Sequence, residues 1–313
     1  MPKLSVCIPA YKEPALLEKA LQALETQTFR DYELILTDDT PDDSVRQLAE
    51  QWQSRLPLRY QANRPALGTP ENWNSGIRLA QGAYILIHHH DDWLLRPDSL
   101  ALFVQALDEH PDAVFAFANT DIRRLSTDER IRLNRPSEIQ LAQLRTEPEV
   151  LITADFVGVP STVMFRKSAG LFFDSQLKWL VDVDFYVRAL RQQPRAAYIP
   201  QALVGVAIHE KQVTASVTKN KNLLLFEYFT VAEKFNLDLR QEPYAGAYGY
   251  WFWRLNVQSV DEIRAAGFYG PIPAGTEALI RNRRKFGFRH WYIKTVMFVK
   301  YRLLGLKRKD LHE

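Results

Sequence analysis

Along the first 120 residues, short apolar runs alternate with stretches whose apolar positions recur every three or four residues. Leu4–Pro9, Tyr32–Thr37, Leu58–Gln61, Ala83–His88 and Ala113–Ala118 have the length and character of strands. Between the first two, Pro14–Gln27 carries Leu16, Leu17, Ala20, Leu21 and Leu24 at helical spacing. Ser44–Gln53, Pro70–Gln81 and Pro97–Glu109 read as helices too, with Pro70 near the first turn of its own. Strands alternating with helices predict a largely parallel sheet with crossover helices. Such a sheet binds its ligands beyond the carboxyl ends of its strands. Polar clusters sit at those ends: Pro9-Ala10-Tyr11, Asp38-Asp39, and the run His88-His89-His90-Asp91-Asp92.

The pattern loosens further on. Residues 122–150 are polar with weak periodicity and read as a loop or a short helical insertion. Ser161–Arg166 and Tyr198–Ile208 are strand-like, and the chain from Leu223 on is aromatic and helical in character. No internal repeat is evident.

Composition narrows the class. An apolar share of 46% allows a sizeable core. The one cysteine, Cys7, lies in a strand-like run, so no intramolecular disulfide forms, which favours a reducing compartment. Met1-Pro2-Lys3 leads straight into the first strand, so no signal peptide is expected, and no run approaches the length of a membrane span. The net charge of +3 is uneven: residues 281–309 hold 11 Lys and Arg and no Asp or Glu, which leaves −8 for the rest. An acidic body with a basic tail argues against a nucleic-acid partner and fits a tail that meets an anionic surface. In that tail Trp291, Tyr292, Phe298 and Tyr301 interleave with Lys294, Lys300 and Arg302. The composition suits a helix at a membrane interface, or equally one packed on the protein with a solvated basic edge.

Adjacent carboxylates at a strand end suit a hard divalent cation, Mg²⁺ or Mn²⁺, that bridges a diphosphate; the plainer reading of Asp91 and Asp92 is a turn cap. Three successive histidines on a strand alternate faces, and structural zinc usually takes cysteines, so zinc is disfavoured. Asp38-Asp39-Thr40-Pro41-Asp42-Asp43 offers either acceptors for a nucleobase or ribose, at Asp39 above all, or an Asx turn and helix cap. There is no Gly-x-Gly-x-x-Gly and no Gly-Lys-Ser/Thr loop, which disfavours a dinucleotide fold and a phosphate-loop enzyme.

Taken together, Ser5-Val6-Cys7-Ile8-Pro9-Ala10-Tyr11, Gln27-Thr28-Phe29, Glu33 to Asp39, Asn63 to Gly68, Asn72-Trp73-Asn74-Ser75-Gly76, Ala80 to Ile85 and Asp91-Asp92-Trp93-Leu94 before Pro97-Asp98 resemble the family 2 glycosyltransferases. The likeness is specific over residues 4–100 and looser to about 215. It implies a GT-A-like (Rossmann-like) mixed, mostly parallel α/β sheet flanked by helices, with a C-terminal helical extension. The expected division is a catalytic domain over 1–222, with 1–120 binding a nucleotide-sugar and 121–222 facing the acceptor, then a helical region over 223–313. The implied reaction is inverting, metal-assisted transfer from a nucleoside-diphosphate sugar, a UDP- or dTDP-sugar, to a hydroxyl of a lipid-linked or surface glycan. Cytoplasmic location, peripheral on the membrane through the tail, goes with it.

The resemblance also implies roles. Pro9, Ala10, Tyr11, Glu13, Asp39, Asn74, His89 and His90 fall at nucleotide-binding positions, with Tyr11 stacking on the base. The family's Asp-x-Asp is His89-His90-Asp91 here, so its first Asp is replaced and its metal ligand is Asp91. Asp182, in Trp179-Leu180-Val181-Asp182-Val183-Asp184, matches the catalytic base; the residues alone allow Asp182 and Asp184 to be carboxylates favoured by a helix N-terminus. Trp93, Ser161 and Asp184 are candidate acceptor contacts. His209 is a further candidate for the metal or diphosphate site, or a structural histidine. Two rivals remain: a non-catalytic binding protein of the same fold, and a nucleotidyltransferase.

Overall fold

The computed structural model describes residues 1–208 and 217–288. The first six helices are α1 (Pro14–Glu25), α2 (Ser44–Trp52), α3 (Glu71–Leu79), α4 (Ser99–Glu109), α5 (Glu138–Thr146) and α6 (Val181–Gln192). One nine-stranded sheet collects β1 (Leu4–Ala10), β2 (Tyr32–Asp38), β3 (Leu58–Ala62), β4 (Tyr84–Ile87), β5 (Asp92–Leu94), β6 (Phe115–Arg124), β7 (Arg130–Asn134), β8 (Val163–Arg166) and β9 (Ala196–Ile208). Its order is β3-β2-β1-β4-β8-β6-β9-β5, with β7 paired to β6. The first four strands are parallel, as the alternation predicts. Beyond β4 the sheet is mixed: β8 runs antiparallel to both β4 and β6, β9 parallel to β6, and β5 antiparallel to β9.

Every residue of β1 is buried, as expected of a central parallel strand covered on both faces. Leu4, Val6 and Ile8 share a core with Leu17, Leu21 and Leu24 of α1. Each such leucine contributes about 2 kcal/mol by leaving water. On the opposite face the lone thiol of Cys7 lies fully buried, and a Cβ at Gly76 of α3 would come within 2.9 Å of the Cys7 Cβ. Glycine there lets α3 approach the sheet. The turn into β4 is closer still: a Cβ at Gly82 would stand 2.6 Å from the Leu4 carbonyl carbon and the Ser5 nitrogen. Ser5 Oγ accepts from the Gly82 amide at 2.8 Å and donates to Glu33 at 2.6 Å, and Glu33 also accepts from the Gln81 amide. One hydroxyl and one carboxylate thereby lock β1, β2 and the entry to β4.

The span 122–150, expected as a loop or a short helical insertion, holds a short helix and also a hairpin strand. β6 continues to Arg124 and turns back as β7, and α5 follows with a capping box of Ser137 and Gln140. Pattern alone misses β7 because Arg130 to Asn134 lies half-buried to exposed and shows no apolar face. Asp121 anchors the hairpin from a buried position, accepting from Arg130 at 2.7 Å and from Arg123 at 3.1 Å.

The described residues fall into two compact units. One comprises Met1–Leu151 and the segment from Asp155 through β9; the other comprises Ile152–Ala154 and the helices beyond. The second unit holds helices Lys221–Lys234, Tyr244–Arg254 and Val260–Ala265, and a helix over 276–288. Phe229, Tyr248, Phe252 and Phe268 form its aromatic centre. No helix among the described residues is long and apolar enough to cross a membrane.

Candidate active site

The carboxyl ends of β1, β2 and β4 carry the polar clusters. At the end of β2, the buried Asp38 accepts from the Thr40 amide at 2.7 Å and from the Tyr60 hydroxyl at 2.7 Å. Thr40 in turn accepts from the Lys12 amide at 2.7 Å. That bond pins the loop after β1, where Lys12 (φ 60°) and Glu13 (φ 49°) are successive non-glycine residues in the left-handed region. Tyr11 is 51% exposed, with the Lys12 ammonium over its ring 4.9 Å from the centroid. Asp39, 5% exposed, spends its carboxylate on the next loop: it accepts from Asn63 Nδ2 at 2.9 Å, the Leu67 amide at 3.0 Å and the Gly68 amide at 2.7 Å. Three of about four lone-pair positions are thereby taken, leaving one for a ligand donor. Asn72 closes the ring by donating to the Ala10 carbonyl and accepting from Asn63.

After β4, the histidine–aspartate run splits into distinct environments. His88 is fully buried; neither ring nitrogen has a hydrogen-bond partner among the described residues, and burial pushes its pKa down to about 3. His90 meets the Pro9 carbonyl through Nδ1 at 3.2 Å, which requires the Nδ1–H tautomer and joins the ends of β1 and β4. His89, Asp91 and Asp92 converge, each offering one ligand atom, all within 4.8 Å of one another. Burial pushes His89 down to about 4, against the opposing pull of Asp91, so its imidazole is neutral. His89 Nε2 is buried without a hydrogen-bond partner among the described residues. Burial first, then the Asp91 charge, raises Asp92 well above the usual carboxylate range. A neutral imidazole with an orphaned nitrogen beside two carboxylates fits a divalent cation of the Mn²⁺ type, which accepts both donor kinds.

Several expected contacts turn out to be supports. Ser161 is fully buried; it accepts from the His89 amide at 2.8 Å and donates to Asp92 at 2.6 Å, so it holds the loop and has no surface for an acceptor. Asp184 is equally buried, ion-paired to Arg188 at 2.8 Å inside α6. Asn74, 1% exposed, has both ends of its amide occupied by hydrogen bonds to the backbone of Phe173. Trp93, 7% exposed, has the Lys19 ammonium 3.1 Å from its ring centroid and packs on Gly205, where a Cβ would stand 2.7 Å away. Its faces are already covered. Asp182 differs: it sits half-buried in the first turn of α6, accepting from the Val183 amide at 2.8 Å. His209 lies outside the described residues.

Sequence reasoning gave Trp73 and Asp155 no role. Trp73 stacks at a tilt on His89 (4.8 Å) and edge-on to Phe173 (5.0 Å), which is stacked on Phe185 of α6 (4.4 Å). An aromatic file therefore runs from the histidine loop to the helix bearing Asp182. Asp155 caps the turn before Gly158 by accepting from the Val157 and Gly158 amides, both at 3.0 Å, and Tyr186 donates to the Gly158 carbonyl at 3.0 Å. Both Asp182 and Asp155 add to the upward shift of Tyr186 that burial begins. Helical spacing marks Trp73 as lying one turn from Gly76 and Ile77, a signal for position though not for its partner.

Comparison with known proteins fits this arrangement. An uncharacterized protein of Mycobacterium tuberculosis is 30% identical over 222 residues, 64% of this chain and 66% of that one. The GalNAc(5)-diNAcBac-PP-undecaprenol beta-1,3-glucosyltransferase of Campylobacter jejuni is 32% identical over 117 residues, 37% of this chain and 38% of that one. The match to a Sinorhizobium fredii protein spans only 13% of its length, so the chain covers less than two thirds of these curated relatives. Among solved structures, S. aureus TarS 1-349 in complex with UDP-GlcNAc superposes with a TM-score of 0.60 at 17% identity, over 92% of both chains. Mannosyltransferase PcManGT from Pyrobaculum calidifontis, in complex with GDP-Man and Mn²⁺, gives 0.57 at 16% identity, over 93% of this chain and 83% of that one. These likenesses establish the GT-A fold. Residues 5–169 match the profile of glycosyl transferase family 2, more than half of the sequence, and the chain belongs to that family.

Proposed function

We propose that the protein transfers a glycosyl group from a nucleoside-diphosphate sugar to an acceptor hydroxyl with inversion. The convergence of His89, Asp91 and Asp92 in the loop after β4, which His90 ties to the end of β1, carries this reading. Tyr11 supplies a face for the base, Asp39 its last acceptor position, and the Pro9–Ala10 backbone and Glu13 the wall of the nucleoside pocket. His89 and Asp91 hold a divalent cation, Mn²⁺ or Mg²⁺, with Asp92 fixing their loop. When bound, that cation would neutralise charge on the departing diphosphate. Asp182 takes the proton from the acceptor hydroxyl as its oxygen bonds to the anomeric carbon; the bond from that carbon to the diphosphate breaks on the opposite face, and the electron pair leaves with the nucleotide.

The donor is read as a UDP- or dTDP-sugar; the UDP-GlcNAc and GDP-Man in the solved relatives support the broader class of nucleoside-diphosphate sugars, and the undecaprenol-linked substrate of the Campylobacter relative supports a lipid-linked or surface-glycan acceptor. The basic aromatic tail over 289–313, outside the described residues, would hold the enzyme peripherally at the cytoplasmic membrane face.

Donor hydrolysis with Mn²⁺, followed as released nucleoside diphosphate, tests the reading. Wild type is expected to turn over at least one nucleotide-sugar. Asp91→Asn should lose metal-dependent nucleotide binding, and Asp182→Asn should keep binding while transfer falls on the order of 100- to 10,000-fold. No turnover with any donor and no metal-dependent nucleotide binding would favour a non-catalytic binding protein and sink the enzyme reading.

A further inference from the structure

The second unit contains a cavity unconnected with the proposed chemistry. About 350 Å³ in volume, it is lined by Trp253, Arg254, Asn256, Arg283 and Arg284. Of the described residues that line it, three are arginines and none is acidic. Among the described residues, the guanidinium groups make no ion pair. Arg254 donates to the Tyr250 hydroxyl at 3.4 Å and Arg283 to the Ile280 carbonyl at 3.0 Å, which leaves most of their N–H donors open.

Local packing builds this pocket. Helix Tyr244–Arg254 ends in a turn in which the Asn256 backbone is left-handed (φ 49°) and the Val257 amide bonds back to the Phe252 carbonyl. Arg254 and Asn256 are thereby fixed beside the end of the helix. The helix over 276–288 approaches closely because glycines stand at both contacts. A Cβ at Gly249 would lie 2.5 Å from the Phe286 ring, and one at Gly287 would lie 2.2 Å from the Trp253 indole. The indole, 39% exposed, walls a cleft that it shares with three guanidinium groups and Asn256.

We propose that this cleft binds the phosphate of an anionic lipid headgroup. Guanidinium forks match phosphate oxygens in pairs, and an indole at the rim is suited to the boundary between headgroup and acyl chain. Three positive charges with no carboxylate among the described lining residues favour an anion carrying more than one negative charge, hence a phosphomonoester or diphosphate over a zwitterionic headgroup. None of these five residues has a part in the glycosyl-transfer reading, so the proposal stands independently of it.

The test uses the full-length protein and phosphatidylcholine vesicles doped with phosphatidic acid or, at matched surface potential, with oleate. Wild type should bind the phosphatidic acid vesicles at least about fivefold more tightly. The charge-preserving variant Arg254→Lys/Arg283→Lys/Arg284→Lys, checked for an unchanged melting temperature, should lose that preference while still binding both vesicles through general electrostatics. Inorganic phosphate, added at constant ionic strength, should erode the wild-type preference. Equal binding of wild type to the two vesicles, or a preference that survives in the lysine variant, overturns the proposal. Binding of inorganic phosphate by wild type with no preference for phosphatidic acid assigns the cleft to a soluble phosphate compound and overturns the lipid source.

Discussion

Asp39 illustrates how one side chain serves both fold and ligand. Its carboxylate closes hydrogen bonds to residues 24, 28 and 29 positions away, and those bonds shape the loop over 63–68. Asp39→Ala leaves an amide side chain and two backbone amides without their acceptor. The expected cost is about 1–3 kcal/mol in urea unfolding, with nucleotide affinity lost as well. The strand-end position of Asp39 is visible in the sequence, but its partners are not, because hydrophobic periodicity says nothing of which loop a polar group reaches. The same limit explains Ser161. The family resemblance makes it a candidate acceptor contact; its partners in the structure, His89 and Asp92, lie 72 and 69 positions away. The run His88–Asp92 was legible as chemistry, yet burial alone distinguishes the sealed His88 from the convergent His89.

At the scale of elements, glycine placement and buried charge set the geometry. Gly82→Ala drives a methyl group into the backbone of Leu4 and Ser5, which cannot swing aside as a side chain can. A loss of about 1–3 kcal/mol is expected in chemical denaturation. The β6–β7 hairpin depends on Asp121. Burial alone would raise its pKa, but hydrogen bonds from Arg130 and Arg123 outweigh that and hold it below the usual carboxylate value. A carboxylate depressed in the folded state contributes stability above the unfolded pKa, near 4, and loses it as pH falls toward the folded value. Asp121→Ala should therefore cost about 3 kcal/mol at neutral pH. Melting curves from pH 7 down to pH 3 should show the gap to wild type closing at the acid end. The four parallel strands and their helices were readable because period-2 and period-3.6 patterns are strong where both faces of a sheet are covered. Beyond β4 the direction of β8 was not, since antiparallel insertion between two strands leaves no mark on the periodicity of the inserted segment.

For the molecule as a whole, donor and metal should act as a stabilising ligand. At a hundredfold excess over the dissociation constant, about 2.7 kcal/mol is expected, read as a rise in melting temperature with UDP-sugar and Mn²⁺ together and little with either alone. Cys7 gives a second way to read the same quantity. It is the only thiol in the chain, it lies inside the central strand against Gly76, and burial pushes its pKa far up. Small alkylating reagents therefore reach it only when β1 detaches, which is the global event for a strand buried on both faces. The unmodified protein thus carries a built-in clock for its own opening. Its alkylation rate under native conditions should fall on donor binding by the factor that the gain in stability dictates, with no engineered label.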